Sequence, residues 1–210
     1  MPTKIERYAI PEGKRILAIS DVHAHRALLE ELLDKAGFCE TDELFVVGDL
    51  IAKGPESLGT LRFLMALSQR PNVHVLKGNM ELWHLGLLDS DSQEGHQAFL
   101  NQKNEQVQYY GHGLLQEMLD ELGFRLNGIQ DVPAAKAAIR AGFEREIAFM
   151  RGLPDILETQ RIIFVHGGIP TDDLDSLKDE NCSRFLKNDG YIDQGYRFEK
   201  TLIVGHWPVT

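Results

Sequence analysis

Five short apolar runs, each opening into a polar fragment, limit how this chain can fold. The fragments are Ser20-Asp21-Val22-His23, Gly48-Asp49-Leu50, Gly78-Asn79-Met80-Glu81, His166-Gly167-Gly168 and Gly205-His206-Trp207-Pro208. The runs before them, residues 15–19, 44–47, 73–76, 161–165 and 202–204, are too short for helices and read as buried strands. Helical patterns separate the first three. Leu28, Leu29, Leu32, Leu33 and Ala36 fall on one helical face before Gly37, and Leu58, Leu61, Leu64, Met65 and Ala66 line another within 56–69. Strand–helix–strand units return in the same sense, so this order predicts a parallel sheet within an α/β fold.

After Glu81 the pattern changes. Residues 81–151 carry no obvious strand and are dominated by Leu, Gln, Glu and Ala. A helical excursion is expected there, broken near 126–133 by Asn127-Gly128 and Pro133 and closed by Gly152-Leu153-Pro154. Its position between two polar fragments suggests a cap. The expected organisation is one domain, 1–210, with a helical cap-like insertion at 82–151.

Composition narrows the function classes. At 210 residues, with 43% hydrophobic and 26% charged content, the chain can bury one sizeable core. No run approaches the ~18 apolar residues of a membrane span, so no membrane partner is expected. Residues 1–13 are polar, with Pro2, Pro11 and Gly13, and lack the apolar stretch of a signal peptide. Cys39 and Cys182, far apart, make neither a disulfide framework nor a cysteine zinc site. A reducing, cytoplasmic setting is the expectation. A net charge of −10 argues against a nucleic-acid groove, which needs clustered Lys and Arg.

The five fragments together offer two Asp, one Asn and three His. In an α/β sheet the loops after the strands converge on one edge. There this set suits a pair of divalent cations sharing one carboxylate, an arrangement that clamps the attacking and leaving oxygens of a phosphoester. Imidazole with carboxylate favours Mn, Fe or Zn over Ca or Mg.

These residues resemble the calcineurin-like metallophosphoesterases, and within them the phosphoprotein phosphatase branch. That branch includes bacterial serine/threonine phosphatases and symmetrical dinucleoside tetraphosphatases. The family pattern is GD-x-H, GD-x-x-x-R-G, GN-H-E/D, H-x-G and GH-T/W, and this chain carries the five parts in order from about Arg15 onward. The resemblance implies a β-sandwich of two mixed sheets flanked by helices (α-β-β-α) with a helical insertion. Family members usually continue through further strands after the last motif, so C-terminal strands are expected to be missing from a chain of this length. Asp21 and His23 would hold one metal, Asp49 would bridge, and Asn79, His166 and His206 would hold the second. A metal-bridging hydroxide would be the nucleophile, with Asp49 and Asn79 as catalytic residues and Lys53 and Asn79 contacting substrate.

Three departures from the pattern carry information. Met80 stands where the family has His, Ala52 where phosphoprotein phosphatases have Asp, and Lys53 where Arg is usual. The missing His and Asp would form the unit that protonates the leaving group. Lys53 lacks the bidentate fork of Arg. General-acid help is worth ~10²–10⁴-fold, so alkyl phosphates should suffer most from its loss. The first expectation is a phosphomonoesterase or protein phosphatase acting on phosphorylated small molecules, nucleotides or phosphoproteins. The loop from Gly48 to Leu58 and the Gly205-His206-Trp207 run resemble the tetraphosphatase subgroup, so a symmetrical dinucleoside tetraphosphate hydrolase is the alternative. Pro208, where the phosphodiesterase branch tends to place a second His, argues against that branch. A catalytically weak, metal-binding sensor of phosphorylated partners is the third reading.

Other residues have plainer readings. His25 is expected in an exposed loop, His74 inside a strand, and His84, His96 and His112 at the surface or in packing. Glu81 favours a helix N-terminus electrostatically. Asp172, Asp173 and Asp175 read as a solvated loop, and Trp83, Tyr109 and Tyr110 as core packing.

Overall fold

The structure is a computed structural model that describes residues 2–207. Pro208 lies outside the described residues. Seven strands are numbered along the chain: β1 (Ile5–Arg7), β2 (Arg15–Ile19), β3 (Asp42–Val47), β4 (Val73–Leu76), β5 (Ile156–Glu158), β6 (Ile162–Val165) and β7 (Thr201–Ile203). They form two sheets. Strands β2, β3 and β4 make a three-stranded, all-parallel sheet in that order. The other sheet runs β1-β5-β6-β7, and only its β5–β6 pair is antiparallel. The mixed character expected of both sheets therefore belongs to one. The helical crossovers β2–β3 and β3–β4 impose parallel pairing on the other.

Side-chain alternation assigns the faces. Leu44 and Val46 of β3 join the helix-covered core, while Phe45 and Val47 point between the sheets. Phe164 of β6 meets them there, and its neighbours Ile163 and Val165 face the opposite side. The Phe45 and Phe164 rings stack with centroids 4.0 Å apart. Burying each ring contributes about 1.5–3 kcal/mol, and the stack adds about 0.5–1.5 kcal/mol. Glu43, on the same face, accepts from Tyr8 Oη at 3.2 Å and pairs with His74 Nε2 at 3.1 Å, so His74 is a structural residue between the sheets. Strands β1 and β5 were not legible in the sequence. Each has only three residues and, unlike β7, leads into no polar motif that marks its end.

The helices are α1 (Arg26–Lys35), α2 (Ser57–Leu67), α3 (Asn79–Asp89), α4 (Gln93–Tyr110), α5 (Leu114–Glu121), α6 (Val132–Gly142), α7 (Glu144–Gly152) and α8 (Ser183–Leu186). In α1 only Leu29 is fully buried and Leu33 partly, while Leu28 and Leu32 are 60% and 49% exposed. That helix shows the core a narrower stripe than its five apolar residues predict. Helices α3 to α7 contribute Leu85, Phe99, Met118, Ile139 and Met150 to the same apolar cluster as Leu44 and Leu61. They share the core of the parallel sheet. Trp83, Tyr109 and Tyr110 are 49%, 72% and 45% exposed, which corrects their reading as core. They lie on the outer faces of α3 and α4, where the inner face already fills the core.

A buried ion pair ties the sheets together near the ends of their strands. Lys77, just past β4, reaches Asp155 at 3.1 Å, and the same carboxylate accepts from the Lys4 backbone at 2.7 Å. No helix among the described residues is long and apolar enough to cross a membrane.

Candidate metal centre

Five loops leave the C-terminal ends of β2, β3, β4, β6 and β7 and meet at one edge of the sandwich. Their backbones are unusual. Asp21, His23, Ala24, Asp49, Ala52, Lys53 and His206 all have φ between 45° and 69°, the left-handed region. Each such non-glycine residue costs on the order of 1–2 kcal/mol, a kind of strain that gathers at functional sites. Gly48 explains how two loops approach so closely. A Cβ there would lie 2.6 Å from Gly78 Cα, so no other residue fits.

Asp49 is the hub. It is 1% exposed, and its two oxygens face different neighbours. Oδ1 accepts from the Met80 backbone N–H at 2.9 Å and stands 3.3 Å from His166 Nε2. Oδ2 stands 3.7 Å from His23 Nε2. On the His23 side, Asp21 Oδ1 lies 3.6 Å from the same nitrogen. Asp21 Oδ2 is held by Ser20 Oγ at 2.6 Å and by the His206 backbone N–H at 3.0 Å. On the His166 side, Asn79 Oδ1 lies 3.1 Å from Nε2. Ligand atoms of Asp21, His23 and Asp49 fall within 4.8 Å of one another, and so do those of Asp49, His166 and His206. The six residues singled out from the sequence are thus together, in two groups that share Asp49.

The donor set fits divalent cations. His23 Nδ1 donates to Ile51 O at 3.3 Å and His166 Nδ1 to Val47 O at 2.8 Å. Each ring therefore turns Nε2 toward carboxylate or amide oxygens, the orientation that metal-binding imidazoles take from outer partners. A proton on His166 satisfies part of this arrangement. A pair of cations would satisfy all of it.

The electrostatics follow from the contacts. Burial lowers the His23 pKa, and the Lys53 ammonium, 2.9 Å from His23 Nε2, lowers it further. Burial works against charge on both Asp49 and His166. Their mutual hydrogen bond and attraction prevail, holding the Asp49 carboxyl low and the His166 imidazole high.

Two residues at the centre exceed what the sequence suggested. Glu81, fully buried, does more than favour a helix end. Its Oε2 accepts from the backbone N–H groups of Gly78 at 2.8 Å and Asp49 at 3.0 Å, and Oε1 from those of Leu50 at 2.8 Å and Ile51 at 3.3 Å. One carboxylate thereby knots the Asp49 loop to the Asn79 loop. Burial, then the Asp49 charge, pushes its pKa up to about 7. Asp189 was missed entirely. Its Oδ1 stands 3.0 Å from His206 Nε2, and it sits in an irregular loop with no sequence signal. Met80 and Ala52, 8% and 1% exposed, lie in the apolar cluster. His25 is exposed. His84 is buried, donating from Nδ1 to Met80 O at 2.7 Å.

Comparison with known proteins identifies the family. The family model described as calcineurin-like phosphoesterase matches residues 14–210. A symmetrical bis(5'-nucleosyl)-tetraphosphatase of Shewanella oneidensis is 30% identical over 179 residues, 83% of this chain and 53% of its own length. One from Shewanella baltica is 31% identical over 179 residues with the same coverage. The chain spans about half the length of the curated relatives it matches. Among solved structures, "a putative diadenosine tetraphosphatase" aligns with a TM-score of 0.57 at 18% identity, covering 97% of this chain and 79% of that one. A mutant of a cold-active protein tyrosine phosphatase gives 0.51 at 20% identity, covering 92% and 53%. At these identities the structures speak to the fold alone.

Proposed function

The chain belongs to the calcineurin-like phosphoesterase family, and we propose that it hydrolyses phosphoric esters or anhydrides at a pair of divalent cations, with nucleoside polyphosphates as its substrate class. The observation that carries this reading is the sharing of Asp49 by two ligand groups. Asp21, His23 and Asp49 would hold one cation, and Asp49, Asn79, His166 and His206 the other, with Mn, Fe or Zn suited to the mixed nitrogen and oxygen donors. Bound there, the cations supply Lewis acidity and make water nucleophilic near neutral pH.

The chain's own residues do the rest. Glu81 holds the Asp49 backbone N–H and the Met80 N–H holds Asp49 Oδ1, so that the two carboxylate oxygens face different imidazoles. Lys53, whose ammonium stands at His23 Nε2, would exchange that partner for a phosphate oxygen. Asn79 would touch substrate from the other side. Residues 82–151 would form the cap of a single domain spanning 1–210.

The substrate class rests on proton supply. Met80 and Ala52 are packed in the apolar core, so neither can protonate a leaving oxygen. Anhydrides leave with less help than alkyl esters. The names of the relatives, symmetrical tetraphosphatases, support the same choice. A phosphomonoesterase acting on aryl phosphates is the second reading, since a phenolate is also a good leaving group.

A parallel rate comparison after Mn loading tests this. Diadenosine tetraphosphate is expected to turn over fastest, a phosphotyrosine peptide next, and a phosphoserine peptide at least ~100-fold slower. Equal rates on phosphoserine and tetraphosphate would defeat the leaving-group argument. Bound metal without turnover of any of the three would favour a phosphate sensor.

A further inference from the structure

The segment after α8 touches the candidate centre at two points and then walls a second cleft. Its Asp189 stands against His206. Two residues on, the Tyr191 ring packs against Gly168, two residues after His166. A Cβ on Gly168, whose φ is +108°, would stand 2.5 Å from that ring. Tyr196 stacks on Tyr191 with centroids 5.7 Å apart and 29° between planes. The result is a layered platform, Gly168–Tyr191–Tyr196, anchored to the loop that bears a candidate metal ligand.

Tyr196 remains 40% exposed. It borders a cleft of about 390 Å³ whose walls also carry Arg184, Lys187, Asn188 and Gln194. Each cation has an exposed carboxylate neighbour with which a phosphate would compete. Arg184 makes an exposed pair with Glu180 at 2.5 Å, and Lys187 stands 3.8 Å from Asp189. The cleft thus sets two cations, each beside an exposed carboxylate, next to an aromatic face and two side-chain amides.

We infer that this cleft is the subsite for the base and outer phosphate of a nucleoside polyphosphate whose reacting phosphate lies at the metal centre. The inference rests on the function proposed above and adds where the rest of the substrate goes. A nucleobase has two π-faces, and stacking on an exposed Tyr contributes about tenfold or more in affinity. Asn188 and Gln194 can each donate to and accept from a base edge. Arg184 and Lys187 match a phosphate, Arg by its planar fork and Lys as a point charge.

The test is calorimetric binding of two non-hydrolysable probes to the Mn-loaded full chain: α,β-methylene-ADP, and methylenediphosphonate, which lacks the nucleoside. The nucleotide analogue is expected to bind about tenfold or more tightly than the diphosphonate. Tyr196→Ala should remove most of that difference and leave diphosphonate binding unchanged, whereas Tyr196→Phe should keep it. Joint Arg184→Gln and Lys187→Gln substitution should weaken the nucleotide analogue several-fold and flatten its salt dependence. Equal binding of both probes by the unaltered protein would overturn the subsite, as would a Tyr196→Ala variant that keeps the difference or weakens both probes alike. A protein that takes up no metal and no diphosphonate refutes the metal centre instead. AMP binding to it, weakened by Tyr196→Ala, would still uphold the subsite, and insensitivity would overturn it.

Discussion

Asp49 gives its two oxygens to different imidazoles, and that division cannot be replaced by a side chain with one acceptor oxygen. Asp49→Asn should lower metal content on both sides together and cut turnover by more than ~100-fold, since even outer-shell changes cost 10–100-fold. Metal analysis of the purified variant checks this, and full retention of metal would contradict a shared ligand. Glu81 presents the opposite case, a buried carboxylate acting on backbone alone. In Glu81→Gln an amide NH₂ would face N–H groups where an oxygen accepted them. The expected cost is about 3 kcal/mol, read from urea denaturation of the chelated protein, with weakened metal binding alongside. A neutral outcome would mean that the loop holds its shape without this knot. Asp21, His23, Asp49, Asn79, His166 and His206 were readable because each follows a strand in a recognisable order. Glu81 was visible as a letter but not as a role, because three of its four backbone partners lie about thirty positions away.

At the scale of elements, α3 and α4 meet through a polar contact inside an apolar interface. His84 donates to Met80 O from Nδ1, and its Nε2 lies 3.2 Å from the Gln106 amide nitrogen, which donates to it. Burial holds the His84 pKa below its usual value of 6.5. Below about pH 6.5 the unfolded chain takes up a proton at this position, and the folded chain does not until its lower pKa is reached. The neutral ring's contribution is therefore complete above that pH and is lost as pH falls, by at most ~1.4 kcal/mol per pH unit. Glu81, whose raised pKa favours the folded state as pH falls, acts in the opposite sense over the same range, so the His84 part is read by difference: between about pH 7.5 and 5.5 the urea midpoint of His84→Gln should lose less, or gain more, than that of the unaltered chain, its slope differing in that sense. An unchanged slope in the variant would remove His84 as its source. Long periodic elements such as α2 and the strands β2, β3 and β4 were legible from their patterns. The three-residue strands β1 and β5 were not: β1 pairs only with β5, about 150 residues away, and β5 lies between that distant strand and β6.

For the whole molecule, the candidate centre joins loops from both sheets, so cations bound there would link metal binding to sheet docking. Cations that bind only the folded chain should stabilise it by about 2.7 kcal/mol at a hundredfold excess over Kd. Chelation should therefore lower the melting temperature, and returning Mn or Zn should restore it; a melting curve indifferent to both would separate the fold from the centre. By itself the sequence determined which residues stand at strand ends and in what order. Hydrophobic periodicity is local, and strand C-termini in an α/β arrangement share an edge. Only the tertiary structure decided that β6 and β7 leave the parallel sheet for a second one, that Asp49 divides its oxygens, that Glu81 ties two loops, and that Asp189, Tyr191 and Tyr196 come to the same edge. Those outcomes depend on which distant surfaces meet. Local pattern encodes which face of an element is apolar, but not the partner that covers it or how much of that face is covered.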